Sequence, residues 1–519
     1  MSTSLQPPAS RISRRVSPVE RPVSDIIDRA RSSPAPRLGA ILATVLTGVL
    51  LWLAFTPVDL GPLAWIALAP WLMLARIAQP TRWMYRCVYL GGVLYWIPTL
   101  IWMRLGDPMM ILGCLALALY LAVYFPVALG VIRTAVHRLR IPLTIAAPVV
   151  WIGLEYLRTH LMTGFGWYLL GHSQHEFTSL VQISDLFGAY GVSFVVMFAA
   201  AALTECIPVS WFPHLRLLPP ICVPDAAVVT APSRHRLLAV VSSIVLVSAS
   251  VGYGVIRSQH DPFPTGPRVG LIQGDFRSEV KHDPNAVHDI YRRHVQLTGM
   301  TVDYRPDVII WPETMFPYLL LQADPSLTRE QLLEQFPQTD PSAWTDPRTD
   351  SGVALRDKAE QAGASMIVGV VAQVASKEGG ARYNSAVLVE PQAGITGRYD
   401  KIHRVPFGEY IPLKDWLPFL ASFSPFGSDN GIAAGKDVHS FQVGTARFLP
   451  LICFEDTVPH LVRRMVNAVA AANATPEEHA QVDCLVNLTN DGWFRDSSEQ
   501  EQHLITASFR CIETRTPMV

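Results

Sequence analysis

The chain is 519 residues long with a formal net charge of -1; half of its residues are hydrophobic and only 16% are charged. A mean hydropathy of +0.25 excludes an ordinary soluble enzyme of this size and calls for a membrane component. The seven cysteines, at 87, 114, 206, 222, 453, 484 and 511, form no CxxC pair and keep no regular spacing, so neither a zinc site nor a disulfide framework is indicated.

Residues 1–37 are rich in Ser, Pro and Arg without an apolar core, the composition of a disordered cytoplasmic tail. They make no signal peptide, because the apolar run that follows is too long and lacks a small-residue cleavage site. Apolar runs then fall near 38–56, 60–75, 87–103, 108–132, 141–159, 184–204 and 237–256. A bilayer asks for about 20 residues per helix. The second and third runs are short but can extend into their flanks, so about seven transmembrane helices are predicted in a membrane domain over 38–257. Arginines gather before the first run and in alternate loops: Arg76, Arg82 and Arg86; Arg133, Arg138 and Arg140; Arg216, Arg234 and Arg236. The intervening loops hold Arg104 and Arg158 and little else. Positive charge marks the cytoplasmic side. The amino terminus and the Pro-rich loop 206–236 are therefore expected in the cytoplasm, and everything after about residue 257 on the far side.

Within the membrane half, WIGLEYLRTHLMTGFGWYLLGHSQ (151–174) places Glu155 and Arg158 three residues apart, on one helix face where they can neutralise each other. The pair reads equally as an interfacial brace or as a hold on a lipid headgroup. TGFGW then breaks the helix and offers Trp167 to the interface.

From residue 268 to 519 short β-rich runs alternate with amphipathic helices, the pattern of layered sheets with helices outside. RVGLIQGD, DVIIWPE, SMIVGVVA, YNSAVLVEP, FQVGTARFLPLICFED and DCLVNLTNDGWF read as strands; HDPNAVHDIYRRHVQLTGM, ALRDKAEQAG and 457–473 read as helices. Catalytic groups in such folds gather at strand ends. Glu313 follows the apolar run VIIWP, where burial would raise its pKa and make it a credible general base. Lys401 lies just past a turn in GRYDKIHRVPFGEYIP, and Cys453 closes LICFED next to the acids Glu455 and Asp456. Taken singly they read as a strand-end acid, a surface lysine and a core thiol. Together they form a chemical unit, because acids beside a thiol blunt it unless a cation offsets them. Lys401 is that cation and can later hold an oxyanion, while Glu313 takes the thiol proton.

In this order WPET, YDKIHRVPFGEYIP, LICFED and NLTNDGWF resemble the motifs of the nitrilase superfamily, whose Glu, Lys and Cys triad works on an αββα sandwich. The resemblance covers about 268–515. Joined to a multi-pass α-helical membrane domain, with FGEYIP, NDGWF and TGFGWYLLGHSQ, it is similar to the apolipoprotein N-acyltransferase family, although Gly166 stands where a proline is expected. The resemblance implies a bacterial inner-membrane enzyme with its catalytic domain in the periplasm. Cys453 would take an acyl chain from a phospholipid, phosphatidylethanolamine for preference, as a thioester. The chain would then pass to the α-amino group of a diacylglyceryl-cysteine at a lipoprotein amino terminus. No cofactor and no nucleic acid are implied; the partners are the phospholipid donor, the apolipoprotein acceptor and the bilayer.

By the same resemblance Glu409 orients Lys401 or assists proton transfer, and Glu455 shapes the site through hydrogen bonds. Phe454 replaces a frequent tyrosine. Asn490 and Asp491 read as turn formers. The insertions 314–350 and 412–427 carry many apolar side chains and suit a membrane interface, with Trp416, Leu417, Phe419 and Leu420 expected to form a lipid lid. The chain also stops where closing strands and a last helix are expected, so the domain reads as truncated. A membrane-tethered amidase and a catalytically dead lipid-binding relative are the competing readings.

Overall fold

The computed structural model describes residues 37–106, 110–218, 227–260, 265–281, 283–344, 351–411, 416, 431–472 and 481–519. Each apolar run of the first half contains helix. They are α1 (Arg37–Leu53), α2 (Ala69–Arg76), α3 (Arg82–Leu100), α4 (Met110–Ala122), α5 (Tyr124–His137), α6 (Leu143–Arg158), α7 (Ala189–Cys206) and α8 (Ser233–His260). Among the described residues, four stretches are long and apolar enough to cross a membrane: Arg82–Leu105, Met110–His137, Ala189–Cys206 and Ser233–Gln259. The run at 60–75 is broken into short helical pieces ending in α2. Aromatic rings fill the middle of the bundle, with Trp71 edge-on to Phe125 at 6.4 Å and to Trp151 at 5.9 Å. Leu42, Leu46, Leu90, Leu94, Ile145, Val149, Ile244 and Val245 point outward, the apolar exterior that a lipid-facing bundle needs.

Among the described residues the second half holds two sheets. The first contains β1 (Val269–Leu271), β2 (Val308–Trp311), β3 (Leu320–Ala323), β4 (Ser365–Ser376), β5 (Gly379–Glu390) and β6 (Gly394–Asp400), in the order β1-β2-β4-β5-β6. Strand β4 is long enough to take two parallel partners on one edge: β2 along Ser365–Val368 and β3 along Ala372–Ala375. The β4, β5 and β6 pairings are antiparallel. The second sheet runs β7 (Phe441–Val443), β8 (Ala446–Ile452), β9 (Cys484–Leu488). The last residues extend it, with Leu485 N donating to Pro517 O at 2.8 Å and Val519 N to Leu485 O at 3.0 Å.

Strand alternation explains the layers. Val308, Ile310, Ile367, Ala386 and Leu388 face Phe448, Leu451 and Val486 of the second sheet. Ile309, Trp311, Met366, Val368, Val387 and Val389 pack on the other side with Leu355 and Ala359. That side is covered by α9 (Val287–Thr301) and α10 (Ser351–Ala362); α11 (Pro459–Ala472) and α12 (Ser498–Thr514) belong with the second sheet. The result is the expected αββα sandwich after a helical membrane half.

Two loop expectations change. Residues 314–344 are not a loop: β3 pairs with β4, Arg329–Gln335 is a short helix, and Phe316 and Leu320 are buried. Their apolar side chains serve the domain's own core, since a parallel partner was free along the second half of β4. Lys401, expected just past a turn, directly follows strand β6. Of the expected lid, Leu417, Phe419 and Leu420 lie outside the described residues, while Trp416 is 84% exposed.

Candidate active site

Glu313 leaves the end of β2 after Pro312 and is buried. Its turn fits against β4 only because residue 369 is glycine. A Cβ there would lie 2.3 Å from Pro312 O and 2.6 Å from Thr314 N. On β5, Asn384 Nδ2 donates to Glu313 Oε1 at 2.7 Å and to Glu409 Oε1 at 3.3 Å. The backbone of Asn384 also accepts from Lys401 N at 2.8 Å, fixing the residue that follows β6. Lys401 is 1% exposed, with Nζ 2.9 Å from Glu409 Oε1 and 3.6 Å from Glu313 Oε1. Burial works against its charge, yet Glu409 and then Glu313 hold its pKa above the ordinary lysine value. Glu409 is held in turn by Val405 N at 2.8 Å.

Cys453 ends β8 with φ +52°, a left-handed conformation that a non-glycine residue adopts only when its surroundings impose it. Burial pushes its thiol pKa well up and Glu313 adds to this, while Lys401 and His503 pull it down. Lys401 acts in the direction expected of a neighbouring cation, but burial outweighs it.

Glu455 is fully buried and touches no open space. Its carboxylate accepts from Ile402 N (2.8 Å), His403 N (2.9 Å) and Ile452 N (2.8 Å), and Tyr399 Oη lies 2.8 Å from both oxygens. It ties the backbone after Lys401 to the backbone before Cys453, so the shaping by hydrogen bonds expected of it is concrete. Phe454 stacks on His403 at 5.7 Å.

Three features were not legible in the sequence. Lys281 Nζ donates to Glu313 O at 3.2 Å and to Thr314 Oγ1. Asn384 bridges the two carboxylates, as described. Behind Cys453, His503 on α12 holds Asp456 Oδ1 at 2.9 Å and Asp491 Oδ1 at 3.1 Å, one on each ring nitrogen. Asn487 Nδ2 joins this group to Cys453, reaching Asp456 Oδ2 at 2.9 Å and Cys453 O at 3.4 Å. Asp491 thus does more than form a turn. A histidine in a helix that reads only as amphipathic carries no local sign of such partners.

The membrane half seats directly on this back wall. A Cβ at Gly166 would lie 2.1 Å from Thr457 O, four residues past Cys453. Trp167 stacks on His503 at 5.8 Å and on Trp102 at 5.1 Å, and Trp102 meets Phe494 edge-on at 5.0 Å. Glu155 and Arg158 brace this segment: Glu155 Oε1 accepts from Leu170 N at 2.7 Å and Trp151 Nε1 at 2.9 Å. Arg158 Nη2 donates to Trp167 O and Tyr168 O at 3.0 and 3.1 Å.

Glu313, Lys401 and Cys453 each follow the end of a strand in a two-layer sandwich that is joined to a half made of apolar helices. Residues 268–519 match the family model described as carbon-nitrogen hydrolase, so the second half is a carbon-nitrogen hydrolase domain. Residues 47–202 match the model described as apolipoprotein N-acyltransferase N-terminal domain. An apolipoprotein N-acyltransferase from Geobacter metallireducens is 31% identical over 93% of this chain and 83% of its own. Proteins of the same name from Rhodopirellula baltica and Brucella melitensis are 28% and 27% identical, each over 91% of this chain and over 84% and 78% of their own lengths. The chain belongs to the apolipoprotein N-acyltransferase family.

Proposed function

We propose that this protein is an apolipoprotein N-acyltransferase that works through Cys453, Lys401 and Glu313, with phosphatidylethanolamine as its acyl donor. The observation that carries the reading is the buried cluster in which Lys401 sits between Glu409 and Glu313 and acts, with Glu313, on the charge of Cys453. Glu313 takes the proton from Sγ, and the sulfur attacks the ester carbonyl carbon of the lipid. Negative charge gathers on the carbonyl oxygen, where the Lys401 ammonium opposes it in a dry site. The C–O bond breaks, Glu313 returns the proton to the departing glycerol oxygen, and lysophospholipid leaves a thioester on Cys453. The α-amine of the diacylglyceryl-cysteine then attacks the thioester. Its proton passes to Glu313, the C–S bond breaks, and the thiol is restored by that proton. Exclusion of water is what turns a hydrolase arrangement to transfer, and a membrane half packed on the catalytic turn supports a lipid rather than a small amide as substrate.

The arginine alternation supports about seven spans in a bacterial inner membrane, with the amino terminus in the cytoplasm and the catalytic domain in the periplasm. Trp416, so exposed, is consistent with a lid that dips into the interface.

Intact-mass analysis of the purified protein after incubation with phosphatidylethanolamine tests the reading. An added acyl mass, removed by hydroxylamine and absent from Cys453→Ala, is the expected outcome. No adduct on the native protein, together with release of ammonia from small amides, would replace it with the amidase reading.

A further inference from the structure

Within the group Glu313, Glu409 and Lys401 the carboxylates outnumber the ammonium, and a residue outside the expected site lies against the turn that carries Glu313. Glu313 and Glu409 are two carboxylates, and Lys401 is the single ammonium between them, at 3.6 and 2.9 Å. Those three groups leave the cluster with one excess negative charge, and a buried excess charge opposes the formation of a thiolate beside it.

Lys281 supplies the missing positive charge. It ends the short helical turn Ser278–Lys281, and its Nζ donates to Glu313 O at 3.2 Å and to the Thr314 hydroxyl. An ammonium has three N–H donors. Two are used on the turn that carries Glu313. The turn itself needs holding, because Thr314 has φ +50° and such a conformation costs free energy in a β-branched residue. Burial lowers the pKa of Lys281, whereas the nearby Glu313 and Cys453 raise it and Lys401 lowers it further.

We propose that Lys281 is a second cation of the acyl-transfer site, which keeps the cluster neutral and stabilises the thiolate of Cys453 as its proton moves to Glu313. Moving the proton from Sγ to Glu313 shifts one negative charge from the carboxylate to the sulfur and leaves the sum over Glu313, Glu409, Lys401, Lys281 and Cys453 unchanged. The other groups that act on the sulfur are His503 on α12 and Asp491 after β9, and His294 on α9 lies within the field of Lys281.

This inference rests on the reading of Cys453 as nucleophile, and its test needs no lipid. The full-length protein in detergent is treated with iodoacetamide between pH 6 and 10, and alkylation of the Cys453 peptide is followed by mass spectrometry. Buried Cys87, Cys114 and Cys484 report on folding by staying unmodified. At any one pH in this range Lys281→Met is expected to slow alkylation of Cys453 about tenfold, the equivalent of about one pH unit in the thiol. Lys281→Arg restores most of the rate, and Thr314→Val, which removes the hydroxyl tie and keeps the charge, retains the native rate. Should Lys281→Met expose the buried cysteines, Lys281→Gln is read by the same criterion. A native rate in the folded Lys281 variants, or an equal slowing in Thr314→Val, would reduce Lys281 to a brace of the turn. A Lys281-dependent rate without any acyl adduct from phospholipid would leave this inference standing and overturn the choice of donor.

Discussion

His503 is buried, and both its ring nitrogens meet carboxylates, Asp456 at 2.9 Å and Asp491 at 3.1 Å. Burial alone would keep the ring neutral, but Asp456 and Asp491 prevail and hold its pKa well above the ordinary value. A proton held more tightly in the folded chain stabilises it fully below the unfolded pKa of about 6.5, and that stability is lost as pH rises through the folded value. Glu499 is lifted to about 8, by burial first and by Asp491 next, so its bound proton gives a loss of the same sign up to that pH. The comparison that isolates His503 is therefore a difference. His503→Gln should melt below the native protein at pH 6.5, and the gap should close by about 1.4 kcal/mol per pH unit on going alkaline. Melting curves in detergent from pH 6.5 to 9 decide it, and a constant gap would mean that the ring is neutral when folded. A smaller alkylation rate of Cys453 in the variant is also expected, since His503 favours the thiolate.

Strand β4 is the element that assembles the site. It carries β2 and β3 on one edge and β5 on the other, so Glu313 and Asn384 meet across it although they are 71 residues apart. Gly369 is the point of closest approach. A methyl group there would stand within 2.8 Å of Glu313 Cα as well as against Pro312 O and Thr314 N, backbone atoms that can yield only by moving Glu313. Gly369→Ala should slow acyl-enzyme formation about a hundredfold, the cost of misplacing a catalytic group by about 1 Å, while α9 and α10 keep the sheet covered. Time-resolved intact mass is the measurement, and a native rate would show that Glu313 is not the base. The residues that end strands were legible because their signal is local: an apolar run that stops at a Glu, a Lys or a Cys. Lys281, Asn384 and His503 were not, because what gives each its role is a partner brought near by strand pairing or helix docking. For the same reason β6 and β3 were not read as strands: a short strand is specified by the edge it finds, and local pattern says little about that edge.

At the scale of the whole molecule, the change in composition near residue 268 divides membrane from catalytic half, and the sequence carries that division openly. The interface between them is not written there, because it is built from residues that look ordinary in each half. Ile505 and Phe509 of α12 pack with Leu169, Leu180 and Val192 of the membrane half, and Phe454 and Phe494 reach its aromatic core. Polar ties lie alongside: Glu513 accepts from Ala189 N at 2.9 Å, and Asp185 gathers Tyr253 at 2.7 Å, Arg257 at 3.2 Å and Arg515 at 2.5 Å. Each large apolar side chain left in water forfeits about 1.5–3 kcal/mol, and four of them together approach the whole stability of a typical domain, about 5–15 kcal/mol. A fragment comprising residues 265–519, made without the membrane half, should therefore aggregate or bind a hydrophobic dye. Supplied together with residues 1–264 in the same membrane, it should fold and form the acyl adduct on Cys453. A fragment that stays monomeric and melts cooperatively by itself would show that the catalytic sandwich is self-sufficient. The contacts of Gly166 with Thr457 and of Trp167 with His503 would then matter for delivering lipid to the thiol and not for holding the thiol in place.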